Sequence, residues 1–375
     1  MSRIIMTGGG TGGHINPAIA IADALKELDA DTEILFVGTP NGMENRLVGE
    51  AGYPIWHIDV SGIRRSLSLK NISAVVKAVR SVGEAKRIIE KFRPDAAVGT
   101  GGYVCYPIMK ASADMGIYTA LHESNAIPGL AVKVLKNKVD RIFVNFDACA
   151  TALSVPEKTV RSGNPLRRGL DRGKRELLRE KYGISGNYRY VILSFGGSLG
   201  ASTVNSLAID VMSVLSSKRK DILHVHACGK NGGSEFFEKL RALGLDKCKN
   251  IRASEYITDM PEWLTVSDVV ISRSGAMTLS EIAAAGRASV LIPSPNVVDD
   301  HQYKNASAYA SVGAAYVIRE GSVDMARLPE IVETILSDRA ARMEMERKAM
   351  LFDVPNAASI IARDILDGIK RGKAQ

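Results

Sequence analysis

A chain of 375 residues exceeds the roughly 250–300 at which a single hydrophobic core stops growing, so two domains are expected. Hydrophobic residues at 46% and charged residues at 24% are the ordinary balance of a folded protein and exclude extensive disorder. The net charge of +8 favours phosphorylated or anionic partners, and no aromatic-interleaved strand or basic recognition helix points to nucleic acid.

In chain order, residues 1–7 read as a short apolar strand running into glycines rather than as a leader segment. Further apolar runs follow at 33–38, 95–99, 117–121 and 141–144, separated by stretches of helical period. The rhythm returns at 189–195, 222–227, 268–272, 289–293 and 314–318. Apolar runs alternating with amphipathic helices are the mark of a parallel sheet covered on both faces, so the chain reads as two doubly wound α/β units. The breaker cluster Ser162-Gly163-Asn164-Pro165 marks the connection. This gives domains at 1–162 and 163–355, with a last helical pattern at 357–369, inside a segment 356–375, expected to pack back across the linker. No apolar run reaches the roughly 18 residues of a membrane span. Cys105, Cys149, Cys228 and Cys248 lie scattered without metal-site spacing, which fits a reducing cytoplasm.

Each unit opens with a strand, a glycine loop and a helix. In the first loop, Gly8 to Gly13, glycines let the backbone approach a ligand, and Asn16 then Pro17 suit the cap and first position of the next helix. The spacing Gly8-x-Gly10-x-x-Gly13 matches a dinucleotide fingerprint, yet the second strand ends Phe36-Val37-Gly38-Thr39 without the acid that a ribose needs. Both an anion seat and a plain packing turn fit the loop. His14 fits two roles by position: a proton acceptor, since imidazole titrates near 6.5 in ordinary surroundings, or a group bonded to loop carbonyls.

The stretch 61–91 mixes Arg64, Arg65, Lys70, Lys77, Arg80, Lys86 and Arg87 with Leu67, Leu69, Ile72, Val75, Val76 and Val79. It reads as a sheet-covering helix or as a basic amphipathic surface for an anionic bilayer. The second glycine loop, Gly196-Gly197-Ser198-Leu199-Gly200, adds a hydroxyl that can bond a phosphate oxygen, and reads as a diphosphate seat. A third cluster, Arg273-Ser274-Gly275 then Ala276, Met277, Thr278, Leu279, Ser280 and Glu281, opens another helix. The Glu281 carboxylate suits vicinal ribose hydroxyls or, as a first-turn acid, the helix dipole. At 299–305, Gln302 and Asn305 are neutral groups of the kind that read sugar hydroxyls, or else an exposed helix start.

Gly9-Gly10-Thr11-Gly12-Gly13-His14 with Pro17, Gly101-Gly102-Tyr103, His122-Glu123-Ser124-Asn125-Ala126-Ile127-Pro128-Gly129, Gly163-Asn164-Pro165, Gly196-Gly197-Ser198 and His301-Gln302-x-x-Asn305 together resemble the MurG family, in order and over nearly the whole chain. The resemblance implies a GT-B fold of two Rossmann-like doubly wound domains facing across a cleft. It implies an inverting transfer of N-acetylglucosamine from its UDP ester to the 4-hydroxyl of the muramyl sugar of lipid I, giving lipid II in peptidoglycan synthesis. By the same resemblance His14 is the general base, Ser198 contacts the diphosphate, Glu281 the ribose, and Ile257 and Arg167 the uracil region. Ala276, Met277, Thr278, Leu279, Ser280, Gln302 and Asn125 surround the sugar, and Thr11, Gly12 and Gly13 close on the donor. Tyr103 lies on the acceptor side. No cofactor and no metal are implied, because helix dipoles and loop N–H groups can hold the departing diphosphate. The implied partners are UDP-N-acetylglucosamine, lipid I and the cytoplasmic membrane surface, with the enzyme peripheral on that face. Ser124 and Leu199 stand where the family commonly has Gln, and Cys105-Tyr106 where a small residue and Gly are usual.

Three rival readings share the scaffold. A nicotinamide oxidoreductase is opposed by the missing acid and by the second glycine loop. A UDP-sugar epimerase or hydrolase would need only the donor site, and a non-catalytic nucleotide-sugar binder would need no base.

Overall fold

The apolar runs form two separate parallel sheets. The computed structural model describes residues 1–60, 69–166, 169–197 and 199–373, with the backbone alone at 69–79, 298 and 373. By internal contacts the chain divides into Met1–Arg167 with Val354–Gln375, and Arg168–Asp353.

The first sheet contains β1 (Arg3–Thr7), β2 (Glu33–Gly38), β3 (Ile55–His57), β4 (Ala96–Gly99), β5 (Tyr118–Glu123), β6 (Arg141–Val144) and β7 (Thr159–Arg161). Its order is β3-β2-β1-β4-β5-β6-β7, parallel throughout. The second contains β8 (Tyr190–Phe195), β9 (Ile222–Ala227), β10 (Ile251–Ser254), β11 (Val269–Ser272), β12 (Ala288–Leu291) and β13 (Tyr316–Val317), in the order β10-β9-β8-β11-β12-β13, again all parallel. Strand order reverses between β1 and β4 in one sheet and between β8 and β11 in the other. Such switch points open a crevice at the carboxyl ends of the strands, and both glycine loops lie there.

The central strands were legible because burial on both faces demands continuous apolar sequence; β8 and β9 are buried at every position. Strands β3, β7 and β10 escaped the reading. They are short edge strands with partly exposed residues, so no apolar run marks them. β5 runs on through His122 and Glu123, both buried, past the expected end at 121. The run at 314–318 narrows to the two-residue edge strand β13.

The helix after the first loop also differs from expectation. It spans Gly12–Leu28 with Thr11 as its cap, so Asn16 does not cap it and Pro17 lies inside. His14 N and Ile15 N already bond Thr11 O at 3.1 and 3.2 Å, which starts the helix before the proline. Pro17 forfeits one bond, to the carbonyl of Gly13, near the end where such bonds are fewest. His14 consequently sits in the first helical turn, on fixed backbone.

In the first unit, Ile15, Ala18, Ile21, Ala22 and Leu25 of this helix pack with Ile4, Met6, Phe36 and Val98 of the sheet. The C-terminal helix, Ala357–Lys373, adds Ile361, Ala362, Ile365 and Ile369 to the same core, a spacing that puts all four on one face. Asp364 of that helix accepts from Arg141 Nε at 3.2 Å and from Tyr118 Oη at 3.3 Å. In the second unit, Ile192, Ile271 and Val290 of the sheet pack with Val204, Leu207, Val211, Leu328, Val332 and Ile335. All four cysteines are free thiols. No helix among the described residues is long and apolar enough to cross a membrane.

Candidate active site

In the first unit, the loop after β1 and the loop after β4 touch through positions where only glycine fits. Gly102 has φ +83°, and a Cβ there would stand 2.3 Å from Gly9 O. Gly101 has φ +104°, and a Cβ there would stand 2.8 Å from His14 Cδ2. Gly9 N donates to Gly101 O at 3.4 Å, and Thr100 Oγ1 donates to His14 O at 2.7 Å. The imidazole is thus held between the two loops.

His14 Nδ1 lies 3.0 Å from Gly9 O. A carbonyl oxygen can only accept, so the hydrogen-bond network assigns the proton to Nδ1 and leaves Nε2 as the basic nitrogen. Both readings of His14 therefore use the same ring, one nitrogen for each. Thr11 is exposed and Gly12 and Gly13 are half-exposed beside it. The Tyr103 ring, 38% exposed, covers Gly10, whose Cβ would lie 3.3 Å from Tyr103 Cε1.

At the end of β5, Glu123 is buried and ties the following turn together. Its Oε1 accepts from Asn125 N and Nδ2, each at 3.0 Å, and Oε2 accepts from Gly129 N at 2.7 Å. His122 beside it is buried, and burial pushes its pKa down to about 4, so it is neutral at physiological pH. Nothing in the sequence of the motif marks Glu123 for this part.

In the second unit, Gly196 closes against the next helix, its Cβ position 2.5 Å from Ala201 N. Gly200, at φ +82°, packs on the segment after β9, its Cβ position 2.2 Å from Cys228 O. Asn231 N donates to Leu199 O at 2.8 Å, which fixes the loop from outside. The helix Ser202–Val211 starts directly behind it. Ser198 and Arg167 lie outside the described residues, as do residues 61–68 and the side chains of 69–79 in the basic stretch read for an anionic bilayer.

The helix Ala276–Ala285 follows β11. Ala276, Leu279 and Ser280 are buried, while Met277, Thr278 and Glu281 are half-buried. Glu281 is in the second turn, too far in to serve as a first-turn acid for the dipole, which removes that alternative. Ile257 is buried, at 7% exposure. The start of the helix His301–Ser311 is not the exposed segment that one reading allowed, since Asn305 is fully buried. Gln302 joins two loops: its Oε1 accepts from Ser294 N at 2.9 Å and its carbonyl from Ser274 Oγ at 2.8 Å. Arg273 Nη1 bonds Glu320 Oε2 at 2.7 Å, and Glu320 accepts from Thr203 Oγ1, so the loop after β11 is linked to the helix behind the second glycine loop.

A buried polar chain reaches this loop from behind. Asn205 Nδ2 donates to Cys228 O at 3.0 Å, so its Oδ1 accepts from His226 Nε2 at 3.2 Å. His226 Nδ1 must then accept from Ser194 Oγ at 2.7 Å, Ser194 accepts from His224 Nε2 at 2.8 Å, and His224 Nδ1 accepts from Ser216 Oγ at 3.0 Å. Each donor–acceptor role follows from its neighbour. The sequence signal was His224-x-His226, the period that puts both side chains on one face of β9. The chain's one Asp-x-Asp triplet, Asp29-Ala30-Asp31, lies before β2, at the amino ends of the strands of the first sheet and away from its glycine loop. There Asp29 Oδ1 accepts from Asp31 N at 3.2 Å.

Comparison with known proteins adds the relationship. Residues 4–144 match the glycosyltransferase family 28 N-terminal domain and residues 191–361 the C-terminal domain of the same family. A protein of Acetivibrio thermocellus is 37% identical over 372 residues, covering 99% of both chains. It is named UDP-N-acetylglucosamine–N-acetylmuramyl-(pentapeptide) pyrophosphoryl-undecaprenol N-acetylglucosamine transferase. A Bacillus cytotoxicus protein of the same name is 36% identical over 95% of this chain and 96% of its own. Among solved structures, MurG of Acinetobacter baumannii superposes with a TM-score of 0.77 at 29% identity, covering 98% of this chain and 100% of that one.

Proposed function

The chain belongs to the MurG family of glycosyltransferase family 28, and on that premise we propose that it transfers N-acetylglucosamine from its UDP ester to the muramyl sugar of lipid I, producing lipid II. Relatives that bear this activity in their names match the chain over nearly its whole length, which is the observation that carries the reading. The GT-B class of two Rossmann-like domains agrees with it.

The acceptor's 4-hydroxyl attacks the anomeric carbon as the bond to the UDP oxygen breaks, inverting that centre. The hydroxyl proton goes to His14 Nε2, a role supported by the bond that keeps the other proton on Nδ1. The bond's electron pair leaves on the diphosphate. Support for its stabilisation comes from the loop 196–200 and the helices Ser202–Val211 and Ala276–Ala285, whose first-turn N–H groups suit an anion. Ser198 would bond the diphosphate, Glu281 the ribose, and Arg167 and Ile257 the uracil. Ala276, Met277, Thr278, Leu279, Ser280, Gln302 and Asn125 would line the sugar, with Leu279 and Ile257 acting through backbone because their side chains are buried. Thr11, Gly12 and Gly13 would close on the donor, and Tyr103 would meet the acceptor. A lipid-linked acceptor supports a position on the cytoplasmic membrane surface, and no helix among the described residues is long and apolar enough to cross it.

The test is transfer of labelled sugar from UDP-N-acetylglucosamine to a short-chain lipid I analogue. The parent should form the disaccharide and His14→Ala should lose at least about 10²-fold in kcat, the usual share of a general base, while still binding UDP. A parent that hydrolyses or epimerises the donor, with or without acceptor, would refute the assignment.

A further inference from the structure

The end of β2 lacks the acid that a dinucleotide-binding sheet offers to a ribose. An acid does follow, but it turns inward. Glu44 opens the helix Glu44–Glu50 and is 1% exposed. Its Oε1 accepts from Thr39 N at 2.9 Å and Thr39 Oγ1 at 2.8 Å, and its Oε2 accepts from Gly10 N at 3.4 Å. Three glycines clear room for it. A Cβ at Gly42 would lie 2.1 Å from Oε1, one at Gly38 2.6 Å from Glu44 Cγ, and one at Gly9 3.1 Å from Oε1. Burial opposes its charge, but the Thr39 amide and hydroxyl and the Gly10 amide hold the carboxyl below its ordinary range, so it is ionised at neutral pH.

A glycine loop after the first strand of such a sheet holds anions with its backbone N–H groups. Here Gly9 N is engaged by Gly101 O and Gly10 N by Glu44. The buried carboxylate supplies the acceptor for Gly10 N from inside the fold. It also fixes Gly10, and the adjoining Gly9 carbonyl is the group that holds His14 Nδ1.

We propose that Glu44 is a positioning residue for the transfer: a buried carboxylate that fixes the Gly9–Gly10 peptide and, through the Gly9 carbonyl, orients His14. This rests on the reading of His14 as the base.

Glu44→Ala should lower kcat by roughly 10²-fold, the order expected for a catalytic group displaced by about 1 Å, with KM for UDP-N-acetylglucosamine unchanged. Sodium formate should restore part of that loss and neutral formamide none. Gly42→Ala tests the same contact without deleting the carboxylate, because the new methyl pushes Oε1 aside; it should lower kcat in the same sense. Nitrogen-15 NMR of His14 gives a readout independent of turnover: the parent shows the proton on Nδ1, and Glu44→Ala shows mixed tautomers. A folded Glu44→Ala with parental kcat, or with an unaltered His14 tautomer, overturns the proposal. So does an equal response to formate and formamide. Loss of transfer in the parent itself would instead sink the functional reading, and the NMR comparison would still decide the role of Glu44.

Discussion

Gly101→Ala isolates the geometry on which catalysis is argued to depend. The added Cβ would lie 2.8 Å from His14 Cδ2 and 3.1 Å from Nε2, whereas carbon atoms rest at about 3.5–4.0 Å. The ring must therefore withdraw by about 1 Å, and it cannot do so while keeping its 3.0 Å bond to Gly9 O. A displacement of about 1 Å costs on the order of 10²-fold in rate, or about 2.7 kcal/mol of transition-state stabilisation. The backbone cost is separate: alanine at φ +104° loses roughly 1–2 kcal/mol of stability. Gly116→Ala supplies the control, since Gly116 has φ +71° with nothing within 4 Å of its Cβ position. Steady-state transfer to a soluble lipid I analogue, with calorimetric UDP binding and thermal melting, separates the two effects. Both variants should melt a few degrees lower, both should bind UDP as the parent does, and only Gly101→Ala should lose kcat/KM by about 10²-fold. Parental turnover in Gly101→Ala, or an equal loss in Gly116→Ala, would show that transfer does not depend on the His14 ring position.

Acid should destabilise the protein earlier than its carboxylates alone would dictate. Burial lowers His224 and His226 to about 3 and His122 to about 4, while the unfolded chain protonates them near 6.5. The unfolded state thus binds more protons below about pH 6.5, and stability falls as pH falls from there, by up to about 1.4 kcal/mol per pH unit for each histidine. Above pH 6.5 the three contribute no such slope, and a melting temperature unchanged from pH 7 to pH 5 would contradict the assignment. Gly368→Ala should loosen the C-terminal helix, because its Cβ would lie 2.2 Å from Tyr118 Cζ. An overpacking cost of roughly 1–3 kcal/mol should appear as faster hydrogen exchange over residues 357–373, and protection equal to the parent's would count against that packing.

Central elements were readable because burial on both faces leaves no freedom in composition: Tyr190–Phe195 and Ile222–Ala227 are apolar or polar-but-paired at every position. The edge strands at Ile55–His57 and Ile251–Ser254 carry no such mark, since one flank faces solvent. Glycine loops announced the site because their spacing is dictated by contacts that no side chain tolerates, as between Gly102 and Gly9 O. The supporting acids were opaque for the opposite reason. Glu44 and Glu123 look like surface residues in sequence, and only the fold reveals that Glu44 is buried among donors of two loops and Glu123 among donors of the turn that follows it. The start of the helix at Gly12 was misplaced because proline and asparagine are strong local signals. A tertiary contact, Thr100 Oγ1 on His14 O, supports an earlier start.

The return of Ala357–Lys373 to the first sheet reverses the order in which the two halves mature. Translation delivers the N-terminal half first, but Ile361, Ile365 and Ile369 belong to its interior and are made only after the whole of residues 168–353. The other half, complete by Asp353, has every element it needs while its predecessor still waits with an apolar flank uncovered. A ribosome that stops early therefore releases a product whose second unit is whole and whose first unit is unsealed.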